Sequence, residues 1–186
     1  MPHVITITGS SRAGKSTTVD YLLNCGRFSQ TFSPVLMRKY TTRPRRIDDN
    51  HEEVLCVNEI PAECDLVYKQ YGAQYGLALS ALFEHIAQEQ SPIVILNDVR
   101  AVEDVRSAFG ELARSLFIFR HDPSSEKYRE ELMESRKGAG RVRFDKARII
   151  YRIYIENIQL FDHVIINSGP VEELEMQVGQ IVKSLE

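Results

Sequence analysis

The chain has 186 residues, of which 43% are hydrophobic and 26% are charged, and its formal net charge is -3 at pH 7. This length and apolar content suffice for one hydrophobic core, so we expect a single domain over residues 1–186. The slight negative charge gives no basic field for nucleic acid or an anionic membrane, so neither is expected as a partner and any phosphate site has to be local.

The cysteine pattern and the absence of long apolar runs indicate the compartment. Cys25, Cys56 and Cys64 are odd in number and lack the close paired spacing of a zinc site, so they indicate free thiols in a reducing compartment. No segment reaches the roughly 20 apolar residues that span a bilayer, and no basic start precedes an apolar run. We therefore expect a cytoplasmic protein.

The first predicted element is a short β-branched strand from Val4 to Thr8. The sequence Gly-Ser-Ser-Arg-Ala-Gly-Lys-Ser follows at residues 9–16, and Val19, Leu22 and Leu23 then have the spacing of a helix. A strand, a glycine-containing loop and a helix in this order are the context in which a P-loop binds nucleotide phosphates. The alternative is a glycine-containing turn that only resembles the motif.

Each residue type of this loop has a task in binding ATP. Side chains at positions 9 and 14 would obstruct the wrapping of backbone N–H groups around a phosphate at the positive end of a helix. Lys15 is expected to reach the β and γ phosphates, and the Ser16 hydroxyl is expected to bind Mg²⁺. The predicted nucleotide site comprises Gly9, Ser10, Ser11, Arg12, Ala13, Gly14, Lys15, Ser16 and Thr17. The GTPase elements Asp-x-x-Gly and Asn-Lys-x-Asp are not found, which favours a kinase.

The next stretch, residues 35–77, contains short strand-like pieces and turn residues, so it predicts an insertion beside the core. A basic run there places five cations within nine residues: Arg38, Lys39, Arg43, Arg45 and Arg46. Guanidinium groups bind phosphate bidentately, so the run is suited to hold a second phosphorylated molecule. The alternative is a solvated basic face that nearby acidic residues neutralise.

The remaining elements alternate between strand and helix. Strands are predicted at 92–96, 116–119 and 163–166, and each precedes a helix. The helix after the strand at 116–119 is expected to begin at about Ser124. This alternation predicts an α/β fold, a three-layer sandwich of the P-loop NTPase type with a parallel sheet. Its core comprises residues 1–34, 78–133 and 153–186, and the arginine-rich segment 134–152 is expected to form a lid.

An ordered set of motifs resembles the guanylate kinase family over nearly the whole chain. Residues 41–45, Thr-Thr-Arg-Pro-Arg, resemble the element with which that family holds the acceptor phosphate. The pair at 75–76, Tyr-Gly, resembles the family's acceptor-pocket pair, and Asp98 follows a strand where the family keeps an acidic residue near metal and acceptor. The segment 161–167 is similar to the family's closing strand, whose end lies beside adenine.

The resemblance implies roles for individual residues. It assigns Lys15, Arg43, Asp98, Arg136 and Arg148 to catalysis, the last two as lid arginines that close on the phosphates. It places Asn167 beside the adenine of ATP. Together with the basic run and with tyrosines that could form pocket walls, it predicts that the acceptor is held by Lys39, Tyr40, Arg43, Arg45, Arg46, Tyr75 and Asp98. ATP and Mg²⁺ are the implied cofactors, and a monomer or homodimer is expected.

The departures from the guanylate kinase pattern concern guanine. Lys39 stands where that family has a serine, Leu66 where it has the glutamate that contacts guanine, and Leu77 where it has a hydroxyl residue. Its phosphate-contacting tyrosine matches Val54 or Leu55. Aliphatic side chains cannot supply the hydrogen bonds by which a buried site reads a base. The sequence therefore argues against GMP as the acceptor.

Three short segments, and the apolar residue at position 66, resemble ribose 1,5-bisphosphate phosphokinase instead. The matching segments are 40–43, Tyr-Thr-Thr-Arg; 49–51, Asp-Asn-His; and 97–101, Asn-Asp-Val-Arg-Ala. The expected partner is accordingly a small phosphorylated acceptor, either a sugar phosphate or a nucleoside monophosphate. A non-catalytic binding module with this fold is a second hypothesis, against which the complete P-loop argues.

Overall fold

The computed structural model describes residues 1–26, 31–46, 49–70, 72–120, 130, 148–149 and 151–185. Most of the helix predicted from about Ser124 and most of the predicted lid, including Arg136, lie outside these residues. The strands are β1 (Val4–Gly9), β2 (Pro34–Leu36), β3 (Lys39–Thr41), β4 (Val54–Cys56), β5 (Leu66–Gln70), β6 (Ala73–Leu77), β7 (Ser91–Ile95), β8 (Ala113–Phe119) and β9 (His163–Ile166). The helices are α1 (Lys15–Gly26), α2 (Leu79–Ala87), α3 (Val99–Phe109) and α4 (Val171–Leu185), with 3₁₀ turns at Gly110–Leu112 and Ile158–Leu160.

The larger sheet has five strands in the order β2-β7-β1-β8-β9, all parallel. Every residue of β1 and β7 is buried, because helices cover both faces of the sheet and leave no polar side to alternate with an apolar one. On one face, Leu22 of α1 and Val178 of α4 pack against Ile7. On the other face, Val102 of α3 packs in one cluster with Val94. The predicted three-layer α/β fold is thereby confirmed.

A second, smaller sheet lies within the segment predicted to be an insertion. Its order is β4-β3-β6-β5, with β3 parallel to β4 and the other two pairs antiparallel. β2 pairs with β7 in the larger sheet, so the smaller sheet begins only at Lys39.

The strand order fixes where a ligand can bind. The chain leaves β1 toward β2 on one side of the larger sheet and leaves β8 toward β9 on the other side. In open α/β sheets this reversal opens a crevice at the carboxyl ends of the strands. The loop after β1 and the residues after β7 lie at that end. No helix among the described residues is long and apolar enough to cross a membrane.

Candidate active site

The end of β1 and the loop that follows it require glycine at one position each. A Cβ atom on Gly9 would lie 2.7 Å from the carbonyl oxygen of Ile118 in the neighbouring strand. Gly14 has φ of +102°, and a Cβ there would lie 2.5 Å from Asn167 Nδ2. That amide nitrogen donates a hydrogen bond of 2.8 Å to the carbonyl of Ala13. The loop is thus held between the ends of β8 and β9 with its backbone close to both.

Lys15 is the first residue of α1, and its side chain returns to the loop. Its Nζ donates hydrogen bonds to the carbonyl oxygens of Gly9, at 2.9 Å, and Ser10, at 2.7 Å. Burial, together with the charge of the neighbouring Lys39, lowers the pKa of Lys15 to about 8, and the carboxylate of Glu53 limits this shift. A nearby anion such as a phosphate would stabilise the charged ammonium form of Lys15.

A cavity of about 550 Å³ opens beside this loop. Six of the predicted ATP-site residues line it: Arg12, Gly14, Lys15, Ser16, Thr17 and Asn167. Gly9, Ser10 and Ala13 are buried and Ser11 is exposed, and none of the four lines this cavity. Arg120, whose guanidinium donates to the carbonyl of Arg12 at 3.1 Å, adds a cation that the sequence analysis missed.

A second cavity, of about 240 Å³, lies between the two sheets and shares Lys15 and Ser16 with the first. Of the predicted acceptor residues, it brings together Lys39, Arg43, Arg46 and Tyr75. Its other lining residues are Asp49, Asn50, Glu53, Val54, Gln70, Ile95 and Asn97. Two cavities that meet at a lysine and a hydroxyl residue can hold two molecules whose ends face each other.

Arg43 and Asp49 form a bidentate ion pair at the wall of this acceptor cavity. The Arg43 guanidinium donates to both carboxylate oxygens, at 2.7 and 2.5 Å. This hydrogen bonding raises the pKa of Arg43 and lowers the pKa of Asp49, and Tyr75 adds to the shift of Arg43. The backbone N–H of Arg46 also donates to Asp49, at 2.7 Å. The carboxylate therefore holds the guanidinium in place, where it can also meet an acceptor phosphate.

Lys39 is a buried cation, only 3% exposed. Its Nζ donates to Glu53 at 3.1 Å and to the carbonyl oxygen of Ile95 in β7. Burial lowers the pKa of Lys39, and the ion pair with Glu53 partly offsets this. The lysine thus joins the smaller sheet to the larger one and keeps a positive charge close to Lys15.

Three predicted acceptor residues lie elsewhere. Tyr40 lines a separate cavity of about 750 Å³ with Leu77, since neighbouring side chains along β3 point to opposite faces. Arg45 is exposed and contacts the imidazole of His51. Asp98 caps α3, its Oδ1 accepting from the backbone N–H of Ala101 at 3.0 Å, and it does not line the acceptor cavity.

Little of the predicted lid falls within the described residues. Arg148 is exposed and helical, and neither cavity includes it among its lining residues. Arg152 pairs with Glu156 on the surface of the helical residues 151–156. The roles given to Arg136 and Arg148 therefore stay predictions.

The sequence analysis also missed Asp49, Glu53, Gln70 and Asn97 as acceptor-cavity residues. Asn97 had a usable signal, because it directly follows a buried strand at the sheet edge where ligands bind. The other three lie in the small sheet or its loops, and only the pairing of that sheet shows which way they face.

No protein-family model and no curated protein matches the sequence. Among solved structures, the chain is similar to guanylate kinase from Anaplasma phagocytophilum, with a TM-score of 0.67 and 19% identity over 99% of this chain and 86% of that chain. A gluconokinase from Sinorhizobium meliloti 1021 has a TM-score of only 0.47 at 14% identity, covering 99% and 95% of the two chains. At this identity, the first likeness shows that the chain shares the fold of that guanylate kinase, while function has to be argued from the site.

Proposed function

We propose that the chain transfers the γ-phosphoryl group of ATP to a phosphate group of a small phosphorylated acceptor. The observation that carries this proposal is the meeting of the two cavities at Lys15 and Ser16. ATP in the larger cavity would present its γ phosphate to an acceptor in the smaller one. An oxygen of the acceptor phosphate forms the new bond to the γ phosphorus, the bond to the β,γ-bridging oxygen breaks, and ADP leaves.

This reaction requires positioning and charge neutralisation more than proton transfer. A phosphate acceptor is already anionic near pH 7, so the protein has to align two anions that repel each other. In this proposal, Lys15 neutralises charge on the transferred group, and Arg43 and Lys39 hold the acceptor. Ser16 at the start of α1 fits Mg²⁺, which commonly takes one or two protein oxygens together with substrate phosphates. When bound there, the ion supplies further neutralisation of phosphate charge.

The charges of the acceptor cavity favour a strongly anionic acceptor. Among the described residues that line it, four are cationic, namely Lys15, Lys39, Arg43 and Arg46, and two are anionic, namely Asp49 and Glu53. Leu66 and Leu77, which stand where guanylate kinases read the base, are 3% and 1% exposed and pack in the core. A ribose 1,5-bisphosphate kinase is therefore favoured over a guanylate kinase.

The test is ADP release with Mg-ATP and a panel of acceptors: ribose 1,5-bisphosphate, GMP and the other nucleoside monophosphates. We expect the bisphosphate to exceed GMP in kcat/KM by at least roughly tenfold, the least expected from the loss of a specific hydrogen bond to the base. Lys15→Ala, with an unchanged circular dichroism spectrum, is expected to lose turnover with every acceptor. A clear preference for GMP would instead identify a guanylate kinase with a rearranged base pocket.

A result in which no acceptor supports ADP release requires a second measurement. Calorimetry then decides whether ATP binds at all. Binding without turnover would support the hypothesis of a nucleotide-binding module, and a lack of both would refute the donor site.

A further inference from the structure

Asn97 holds an unusual position in the acceptor cavity. It lies two residues after the end of β7 and lines the cavity together with Lys15 and Ser16. Its side-chain oxygen, Oδ1, is buried and has no hydrogen-bond partner among the residues that the structure describes. Buried polar atoms in proteins are nearly always hydrogen-bonded, because leaving one unpaired costs free energy. Because Asn97 lines the cavity, its unpaired oxygen is a candidate for contact with a ligand.

The backbone of Asn97 is fixed from two sides. Its carbonyl oxygen accepts hydrogen bonds from Gln70 Nε2 in β5, at 2.7 Å, and from the hydroxyl of Tyr154, at 2.8 Å. Tyr154 is 1% exposed and packs edge-on against Phe117. Groups from the small sheet and from the helical residues 151–156 thus anchor one peptide of the site. The side chain of Asn97 starts from a backbone position that both elements define.

The chemistry of this oxygen limits what it can bind. An amide oxygen is only an acceptor, and ionised phosphate groups are acceptors as well, so the two do not pair. The cavity already supplies donors for phosphate in Lys39 and Arg43, and Lys39 bonds the carbonyl of Ile95, two residues before Asn97. A hydroxyl group carried beside the phosphate is the donor that matches Oδ1.

We propose that Asn97 is a specificity-determining residue whose side-chain oxygen accepts a hydrogen bond from a hydroxyl group of the phosphorylated acceptor. This inference rests on the proposed function, because it assigns the acceptor to the smaller cavity. It adds that the acceptor is recognised as a hydroxylated sugar as well as an anion.

The experiment compares matched acceptors with and without the hydroxyl in three variants. The acceptors are ribose 1,5-bisphosphate and its 2-deoxy and 3-deoxy analogues, with GMP and its 2′-deoxy and 3′-deoxy analogues as the second set. Asn97→Leu keeps the approximate size and removes the acceptor oxygen, whereas Asn97→Asp keeps an oxygen that accepts. Asn157→Leu is the control, since Asn157 lies outside both cavities and its Nδ2 donates to the carbonyl of Ile153.

In the unsubstituted protein, kcat/KM is expected to be about tenfold or more higher for the hydroxylated acceptor than for one of its deoxy analogues. Asn97→Leu should reduce the value for the hydroxylated acceptor to that of this analogue, with the KM for ATP unchanged. Asn97→Asp and Asn157→Leu should retain the preference. Equal losses for both acceptors in Asn97→Leu would overturn the proposal, since they would show a structural role alone. Loss of the preference in Asn97→Asp would also overturn it, because the amide N–H would then be the group that reads the acceptor.

Two measures keep this test independent of the kinase assignment. Calorimetry measures binding of the same acceptor pairs, so the hydroxyl preference is tested even when no ADP is released. The thermal midpoint of each variant is measured first, and Asn97→Ala replaces Asn97→Leu should leucine prevent folding. Turnover without a hydroxyl preference refutes only the role of Asn97. A hydroxyl preference in binding without any turnover refutes only the kinase.

Discussion

At the scale of single residues, the main functional feature is a lysine whose charge is easily lost. Burial and the neighbouring Lys39 lower the pKa of Lys15 to about 8, and loop carbonyls are its hydrogen-bond acceptors. The phosphates of ATP would favour the ammonium form and raise this pKa again. The protonation of Lys15 is therefore linked to nucleotide binding.

We predict that ATP binding near pH 8 takes up protons and that the affinity falls as the pH rises through the pKa of Lys15. The sign follows because about half of the lysine side chains are neutral at that pH before binding and most are charged afterwards. Calorimetry in buffers of different ionisation enthalpy measures the uptake. Lys15→Arg is the matched control, since its guanidinium stays protonated and should remove this contribution. A proton uptake that persists in this variant would assign the linkage to another group.

A second prediction at this scale concerns Arg43, which we expect to act on the acceptor rather than on ATP. Arg43→Ala should raise the acceptor KM by about 10- to 100-fold, the value of a hydrogen bond between charged groups, with a much smaller effect on the KM for ATP. The substitution also leaves the Asp49 carboxylate without its guanidinium counter-charge in the cavity, where its negative charge repels the acceptor. Arg43→Ala combined with Asp49→Ala should therefore recover part of the loss. Lys at position 43 should rescue only partly, because an ammonium group lacks the bidentate fork. An equal rise in the KM values for the acceptor and for ATP would contradict the assignment of Arg43 to the acceptor.

At the scale of elements, Lys39 joins the two sheets through Glu53 and the carbonyl of Ile95. We predict that Glu53→Ala lowers the free energy of unfolding by up to about 3 kcal/mol at pH 7, because it leaves a buried ammonium without its counter-charge. The loss should shrink as the pH rises: without Glu53 the folded-state pKa of Lys39 falls further below its unfolded value, and the neutral amine needs no partner. Urea denaturation at several pH values measures this dependence. Lys39→Met combined with Glu53→Leu is the control and should regain most of the stability; a double variant as unstable as Glu53→Ala would contradict the ion-pair explanation.

Also at the scale of elements, the neighbouring residues Tyr75 and Gly76 have different roles, one in the acceptor cavity and one in packing. Tyr75 lines the acceptor cavity, whereas a Cβ on Gly76 would lie 2.4 Å from the Ile60 side chain and 3.0 Å from Cys64 Cβ. We predict that Gly76→Ala destabilises the fold by about 1–3 kcal/mol through overpacking and leaves ATP affinity unchanged. Chemical denaturation and calorimetry measure the two effects. Ile60→Ala in the same chain should relieve the clash, and no recovery would point to a backbone cause.

At the scale of the whole molecule, two cavities share a wall formed by Lys15 and Ser16, one beside the loop after β1 and the other between the two sheets. We predict that adenosine and ribose joined through a pentaphosphate bind at least about 100-fold more tightly than ATP, because the second contact becomes intramolecular. Calorimetry measures both affinities, and a triphosphate-linked compound serves as the short control. Equal affinity for ATP and the pentaphosphate compound would mean that the cavities are not occupied together.

The sequence alone determined the features that depend on neighbouring residues. The P-loop was predictable because its glycines, its lysine and the strand and helix around it lie within the first 26 residues. The buried parallel strands were predictable because continuous apolar runs are the pattern of strands covered on both faces. The predicted strand at 163–166 agrees with β9, whereas β8 begins three residues earlier than predicted, at Ala113. The start of β8 was not predicted because the polar side chains of Arg114 and Ser115 interrupt the apolar run.

Only the tertiary structure decided which side chains of the acceptor region share a cavity. Lys39 and Tyr40 are adjacent in the chain, yet the pleat of β3 sends them to different cavities, and the pairing of that strand decides which face meets the larger sheet. Asn97 became a candidate because it lines the acceptor cavity with an unpaired side-chain oxygen. Its backbone carbonyl is held by Gln70 and Tyr154, 27 and 57 residues away in sequence. Contacts over such distances follow from how the elements pack, and local sequence patterns carry no information about them.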